Sequence, residues 1–124
     1  MTITHVQLFS VPVADQDIAK TFYLDVLGFE LVSDVPMGPD ARWVQVRPVG
    51  AATSLTLVTW FDEIPPGSLT GVVLETGDLD ASIADLEAKG VVFEGGVIEE
   101  PWGRFATFSD PDGNRFILQT TSMV

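Results

Sequence analysis

"FSDPDGNRFILQ", residues 108–119, sets two apolar stretches on either side of a tight turn. Pro111 presets φ, Asp112 can bond its own backbone, and Gly113 takes the positive φ that other residues avoid. Phe105-Ala106-Thr107-Phe108 leads in and Phe116-Ile117-Leu118-Gln119 leads out, so the segment reads as a β-hairpin.

The same elements occur half a chain earlier. Pro48 pairs with Pro111 and Gly50 with Gly113, each 63 residues apart. Asp15 pairs with Asp78 and Asp17 with Asp80 at the same spacing, while Gly28 with Gly90 and Arg42 with Arg104 stand 62 apart. Each aspartate pair can accept from the free N–H groups of a first helical turn, and each glycine suits the left-handed stop. Phe22, Val26 and Leu27 then share one helical face, as do Ile83 and Leu86 in the second copy. A repeat this regular predicts two copies of strand, helix and three strands, over 1–62 and 69–124. The predicted strands are 3–12, 29–35, 42–48 and 53–61, then 70–76, 91–98, 103–109 and 114–121. Asp62 to Ser68, with Pro65-Pro66-Gly67, joins the copies. The expected fold class is α+β, one domain of two curved sheets around a cleft.

Composition agrees with a packed domain: 46% of residues are hydrophobic and 19% charged. No apolar run approaches a bilayer span, and the N-terminus lacks a secretion pattern, so a cytoplasmic location is expected. The absence of cysteine excludes disulfides, thiolate metal sites and thiol nucleophiles. A net charge of −12 repels phosphate backbones and anionic membranes, so neither nucleic acid nor membrane is expected as a partner. It favours a cationic small molecule, although acidity also serves solubility alone.

Paired βαβββ modules, "VADQDIAKTFYLDVLGFEL" in the first half and "SDPDGNRF" in the second, resemble the vicinal oxygen chelate superfamily. That superfamily holds glyoxalase-type isomerases, extradiol dioxygenases, fosfomycin resistance enzymes and bleomycin-resistance binding proteins. In its enzymes, side chains on the first and last strands of each module hold a divalent metal. By that resemblance the ligand positions fall on Leu8, on Leu55 or Leu57, on Val72 and on Ile117. None offers a lone pair to a metal. A shift of one residue reaches Gln7 or Phe9, Gly71 or Val73, and Phe116 or Leu118, of which Gln7 alone gains a donor. A bulge at Pro12 would produce that shift. A second donor set of His5, Gln7, Glu75 and Gln119 requires a different register in every strand. His5, the single histidine, otherwise reads as an ordinary strand residue, and Tyr23 as a packing residue beside Phe22. Glu99-Glu100 reads as a solvated loop pair, and no catalytic residues are assigned.

Without a metal, a cleft works through aromatic and polar side chains. The candidate pocket residues are Trp43, Trp60, Trp102, Arg104, Phe105 and Gln119. Trp102, between Pro101 and Gly103, has the least core-like neighbours, whereas Trp43 and Trp60 suit core and pocket wall equally. Arg104 suits an anionic group or a partner such as Glu99 or Glu100. The expected function is a binding protein of the bleomycin-resistance type, taking a small aromatic or cationic molecule without metal or other cofactor. The resemblance further implies a homodimer with the site near the shared groove. The alternatives are a metal-dependent lyase, isomerase or dioxygenase with a misplaced ligand register, and an accessory protein with a filled cleft.

Overall fold

A computed structural model describes residues 1–122 of the chain, so the last two residues of the second repeat lie outside the described residues. The first module runs β1 (Leu8–Pro12), α1 (Gln16–Thr21) continued by a π-helical turn (Phe22–Val26), β2 (Glu30–Pro36), β3 (Arg42–Arg47) and β4 (Ser54–Val58). The second runs β5 (Val72–Glu75), α2 (Leu79–Ala88), β6 (Phe93–Glu100), β7 (Gly103–Ser109) and β8 (Arg115–Thr121). Each module forms a four-stranded mixed sheet, ordered β1-β4-β3-β2 and β5-β8-β7-β6, in which the first and last strands pair in parallel.

The repeated residues carry the same duties in both copies. Asp15 and Asp78 cap their helices, accepting from Asp17 and Ile18 N–H in one and Ala81 N–H in the other. Gly28 and Gly90 follow the helices with φ of 75° and 94°. Arg42 reaches Asp17 at 2.6 Å, and Arg104 reaches Asp80 at 3.2 Å, so each third strand is tied to the first turn of its helix. Arg42 and Lys20 also grip Asp34, and their hydrogen bonds hold its carboxyl far below the usual carboxylate range.

Three expectations for the first module change. Residues 3–7 are outside β1: the stretch meets the start of β4 through Ser54 N–H donating to the Gln7 carbonyl and Thr53 Oγ1 donating to the Val6 carbonyl, without a continuing ladder. The helix loosens after Thr21 into a π turn, with Leu27 N–H donating to Phe22 five residues back. Trp60 and Phe61 likewise fall beyond the end of β4.

One core spans the modules on the helix side of both sheets. Val11, Val44, Val46, Leu55 and Leu57 of the first sheet join Tyr23 of the π turn and Phe108, Phe116 and Leu118 of the second sheet. Tyr23 meets Phe116 edge-on with ring centroids 6.1 Å apart, and Phe116 stacks on Phe108 at 5.8 Å.

The opening turn locks this packing. Buried Asp110 accepts from the Tyr23 hydroxyl at 2.7 Å, from Asn114 Nδ2 at 2.8 Å, and from the N–H groups of Asp112 and Asn114 at 2.9 Å. Asn114 also donates to the Pro12 carbonyl and accepts from Leu69 N–H. Asp112 accepts from Ala14 N–H at 3.0 Å. The joining loop closes in as well: Gly67 N–H donates to Pro12, and at φ +83° a Cβ on Gly67 would collide with the Asp112 carbonyl. Burial, then the Asp110 charge, push the Tyr23 phenol far above its usual range, so it remains a donor. The turn that resembles a superfamily signature is here an inter-module latch.

Candidate functional site

The helices and the common core cover one face of each sheet; the opposite face is partly exposed on the second sheet, while on the first its rim is partly exposed and Ser54, Thr56 and Val58 of β4 are buried. On the first sheet Leu8, Ser10, Thr56, Trp43 and Gln45 share that face, since Ser10 pairs with Thr56, Thr56 with Gln45, and side chains alternate along a strand. On the second, Val73 pairs with Ile117, Glu75 with Gln119, and Phe105 with Gln119. All of these apolar residues are partly exposed, and Val73 keeps 51% of its surface in solvent. Apolar side chains on an open sheet face mark a surface awaiting an occupant.

The first open face carries an aromatic platform. Trp43 and Trp60 lie nearly parallel, 24° between planes and 6.4 Å between centroids, and Phe61 tilts against Trp60 at 6.0 Å. Trp43 Nε1 donates to Gln45 Oε1 at 3.0 Å, which fixes the indole's orientation. The second open face carries Phe105 beside a polar edge. There Gln119 Nε2 donates to the Thr121 hydroxyl, and that hydroxyl donates to Glu75 at 2.6 Å. The Thr121 hydroxyl and then its backbone N–H hold the Glu75 carboxyl below its ordinary range.

Four of the six candidate pocket residues, Trp43, Trp60, Phe105 and Gln119, therefore lie on or beside the open faces. Trp102 is 52% exposed in the β6–β7 turn, with its carbonyl bonded by Ser122 N–H. Arg104 does not join them. It alternates with Phe105, shares the helix-side face of Ala106 and Phe108, and is spent on Asp80 and Glu99.

The metal-ligand register needs two corrections. Leu8 and Ile117 lie on the faces turned away from the core, and Pro12 ends an edge strand without a bulge. Leu55, however, is 1% exposed in the core, as is Leu57 at 0%, so the open-face residue between them is Thr56. Val72 packs against the core opposite Phe116, which leaves Val73 facing outward. The corrected set is Leu8, Thr56, Val73 and Ile117: three hydrocarbons and one hydroxyl, which does not fit a divalent metal. Of the second donor set, Glu75 and Gln119 are brought side by side, while His5 and Gln7 sit on the exposed segment before β1. His5 accepts or donates one bond, with Thr4. Among the described residues, no three histidine, aspartate or glutamate side chains are placed to hold a metal ion.

Two cavities lie elsewhere. One of about 310 Å³ opens at the module seam between α2 and the π turn, lined by Phe29, Leu74, Leu86, Phe108 and Leu118 among others. A second, of about 500 Å³, follows Phe22, Val91 and Pro111. None of the six candidate residues lines either.

The model of the Glyoxalase/Bleomycin resistance protein/Dioxygenase superfamily matches residues 2–118. The crystal structure of TnmS3, described as an antibiotic binding protein from Streptomyces sp. CB03234, is 55% identical with a TM-score of 0.92, over 98% of this chain and 99% of that one. A glyoxalase/bleomycin resistance protein from the same Streptomyces is 52% identical with a TM-score of 0.84, over 94% of this chain and all of its own. The uncharacterised protein YetH of Bacillus subtilis is 34% identical over 94% of this chain and 98% of its own length.

Proposed function

Because the chain belongs to the Glyoxalase/Bleomycin resistance protein/Dioxygenase superfamily, we propose that it is a metal-independent binding protein. It holds a small aromatic or cationic compound against its open sheet faces and leaves the compound unaltered. The observation that carries this reading is the corrected face itself: hydrocarbon at Leu8, Val73 and Ile117, with the stacked Trp43–Trp60 pair alongside. Such a face can bury and stack a planar ligand but cannot polarise one through a metal. The likeness to TnmS3, an antibiotic binding protein, supports the same reading.

A homodimer completes the site. The half-exposed apolar faces need a facing wall, and a second copy supplies one without new sequence. In the dimer the first open face of one copy meets the second open face of the other, which adds Phe105, Gln119 and the turn residue Trp102 to the tryptophan platform. The net charge of −12 favours a neutral or cationic compound over an anionic one.

The test is a panel of planar aromatic antibiotics, neutral and cationic, screened by thermal melting on chelator-treated protein. Light scattering on the same sample is expected to give twice the chain mass. At least one compound is expected to raise the melting temperature with the chelator still present, by an amount that grows with its concentration. Stabilisation that appears only on adding a divalent metal, or none across the panel, contradicts the reading.

A further inference from the structure

We propose that the cavity at the module seam is a second binding site and takes a small aliphatic amine, with hydrocarbon inside and the ammonium at the mouth against Asp85. The site is independent of the binding reading above, because neither Trp43 nor Trp60 lines this cavity. The repeat explains why the space exists. At the 63-residue spacing that pairs Asp15 with Asp78, Phe22 and Tyr23 fall on Asp85 and Leu86. The first module fills the room beside its helix with those two rings, which meet edge-on at 5.3 Å. The second module has a carboxylate and a leucine instead, and α2 carries no aromatic residue to take up the room.

Leu74, Leu86, Phe108 and Leu118 wall the cavity from the second module, and Leu27 and Phe29 close it from the first. An apolar hollow of about 150 Å³ already holds a benzene ring, and this one offers about 310 Å³. The mouth is charged. Asp85 and Lys89, four residues apart and so neighbours on the helix surface, both border it. Lys89 reaches across the seam and donates to the Val26 carbonyl at 3.4 Å. Exposed Asp85 belongs to none of the ion pairs among the described residues. Hydrocarbon walls with a few placed polar groups are the usual make-up of a small-molecule site. A carboxylate at the rim selects an ammonium. Glu75 borders the cavity as well, so an anion would meet two carboxylates against one lysine, on a chain of net charge −12.

The probes are cyclohexylmethylamine, cyclohexylmethanol and cyclohexanecarboxylate, whose shared saturated ring has no π-face to stack on the tryptophans. Backbone and indole N–H signals of ¹⁵N-labelled protein would be followed as each is added to millimolar concentration. The amine is expected to bind more tightly than the alcohol, and the carboxylate more weakly than either. Its shifts should fall on Leu27, Phe29, Leu86 and Lys89, with the indole signals of Trp43 and Trp60 unmoved. Asp85→Asn, at an exposed position, should weaken the amine by about threefold to fivefold, as for a solvent-exposed ion pair, and leave the alcohol unchanged. Leu86→Trp puts a ring where the first module has one, and should weaken amine and alcohol alike by more than about tenfold. An amine that moves no signal, that moves the indoles alone, or that binds Asp85→Asn as well as the wild type overturns the seam site. The reading of the open faces is judged separately, on aromatic probes and Trp43, and survives each of those results.

Discussion

Asp110→Ala is expected to cost about 3 kcal/mol or more of stability, the largest effect of any single substitution outside the hydrocarbon core. The carboxylate is buried and has no cation beside it; four donors hold it instead. Removing it strands the Tyr23 hydroxyl and the N–H groups of Asp112 and Asn114, and frees one bond of the Asn114 amide. Each buried donor left unpaired costs about 1–3 kcal/mol, partly relieved where water can enter. The loss should not be local, because Asn114 and Asp112 also hold Pro12 and Ala14 of the other module. Tyr23→Phe removes one bond and keeps the ring packing against Phe116, so about 1–2 kcal/mol is expected there. Urea unfolding measures both, with the slope unchanged if the two modules still unfold together. A cost for Asp110→Ala below that of Tyr23→Phe would show that the turn does not latch the modules.

The second large effect concerns binding. Trp43→Ala is expected to weaken a planar probe such as 2-naphthol by about tenfold to a hundredfold, since it removes one of two stacked indoles and the area they bury. Trp43 is only half-buried and belongs to β3 near an edge strand, so the variant should still fold. Arg104→Ala supplies the contrast. Its guanidinium lies on the helix side with Asp80 and Glu99, and its loss should change probe affinity by less than about twofold. Equilibrium dialysis of both variants separates the faces. Loss of binding by Arg104→Ala with none by Trp43→Ala would move the ligand to the helix side, toward the seam cavity.

Much of this was readable from residues. The paired aspartates, glycines and arginines repeat because each module needs the same cap, the same helix stop and the same tie from strand to helix, and spacing alone exposes that. Trp43, Trp60, Phe105 and Gln119 are legible because aromatic and amide side chains in or beside amphipathic strands stand out from the hydrocarbon around them, and the structure puts them on or beside the sheet faces away from the core. Arg104 was misplaced for a reason of parity. One residue decides the face of a strand, and the side chain's chemistry gives no hint whether its charge meets a ligand or an aspartate on its own module. Parity also separates Leu55 or Leu57 and Val72 from the outer face: each lies one residue from an outward-facing neighbour, Thr56 or Val73. The signal for Thr56 was present in Ser54-Leu55-Thr56-Leu57, where strict alternation separates hydroxyls from leucines. It was masked by Leu55 and Leu57 themselves, which invite a reading as cleft residues. The π turn has no side-chain signature, and the latch is formed by residues up to 102 positions apart, which no local pattern reports.

The account turns on whether the open faces hold compounds or a metal, and metal retention measures that directly. Untagged protein, purified without chelator, would be incubated with Mn²⁺, Fe²⁺, Co²⁺, Ni²⁺ and Zn²⁺, desalted, and assayed for bound metal per chain. With Leu8, Thr56, Val73 and Ile117 on the sheet faces turned away from the core, retention far below one ion per chain is predicted. Near-stoichiometric retention that is lost on Glu75→Ala or Gln119→Ala would contradict it and make the protein a metal-dependent member of its superfamily.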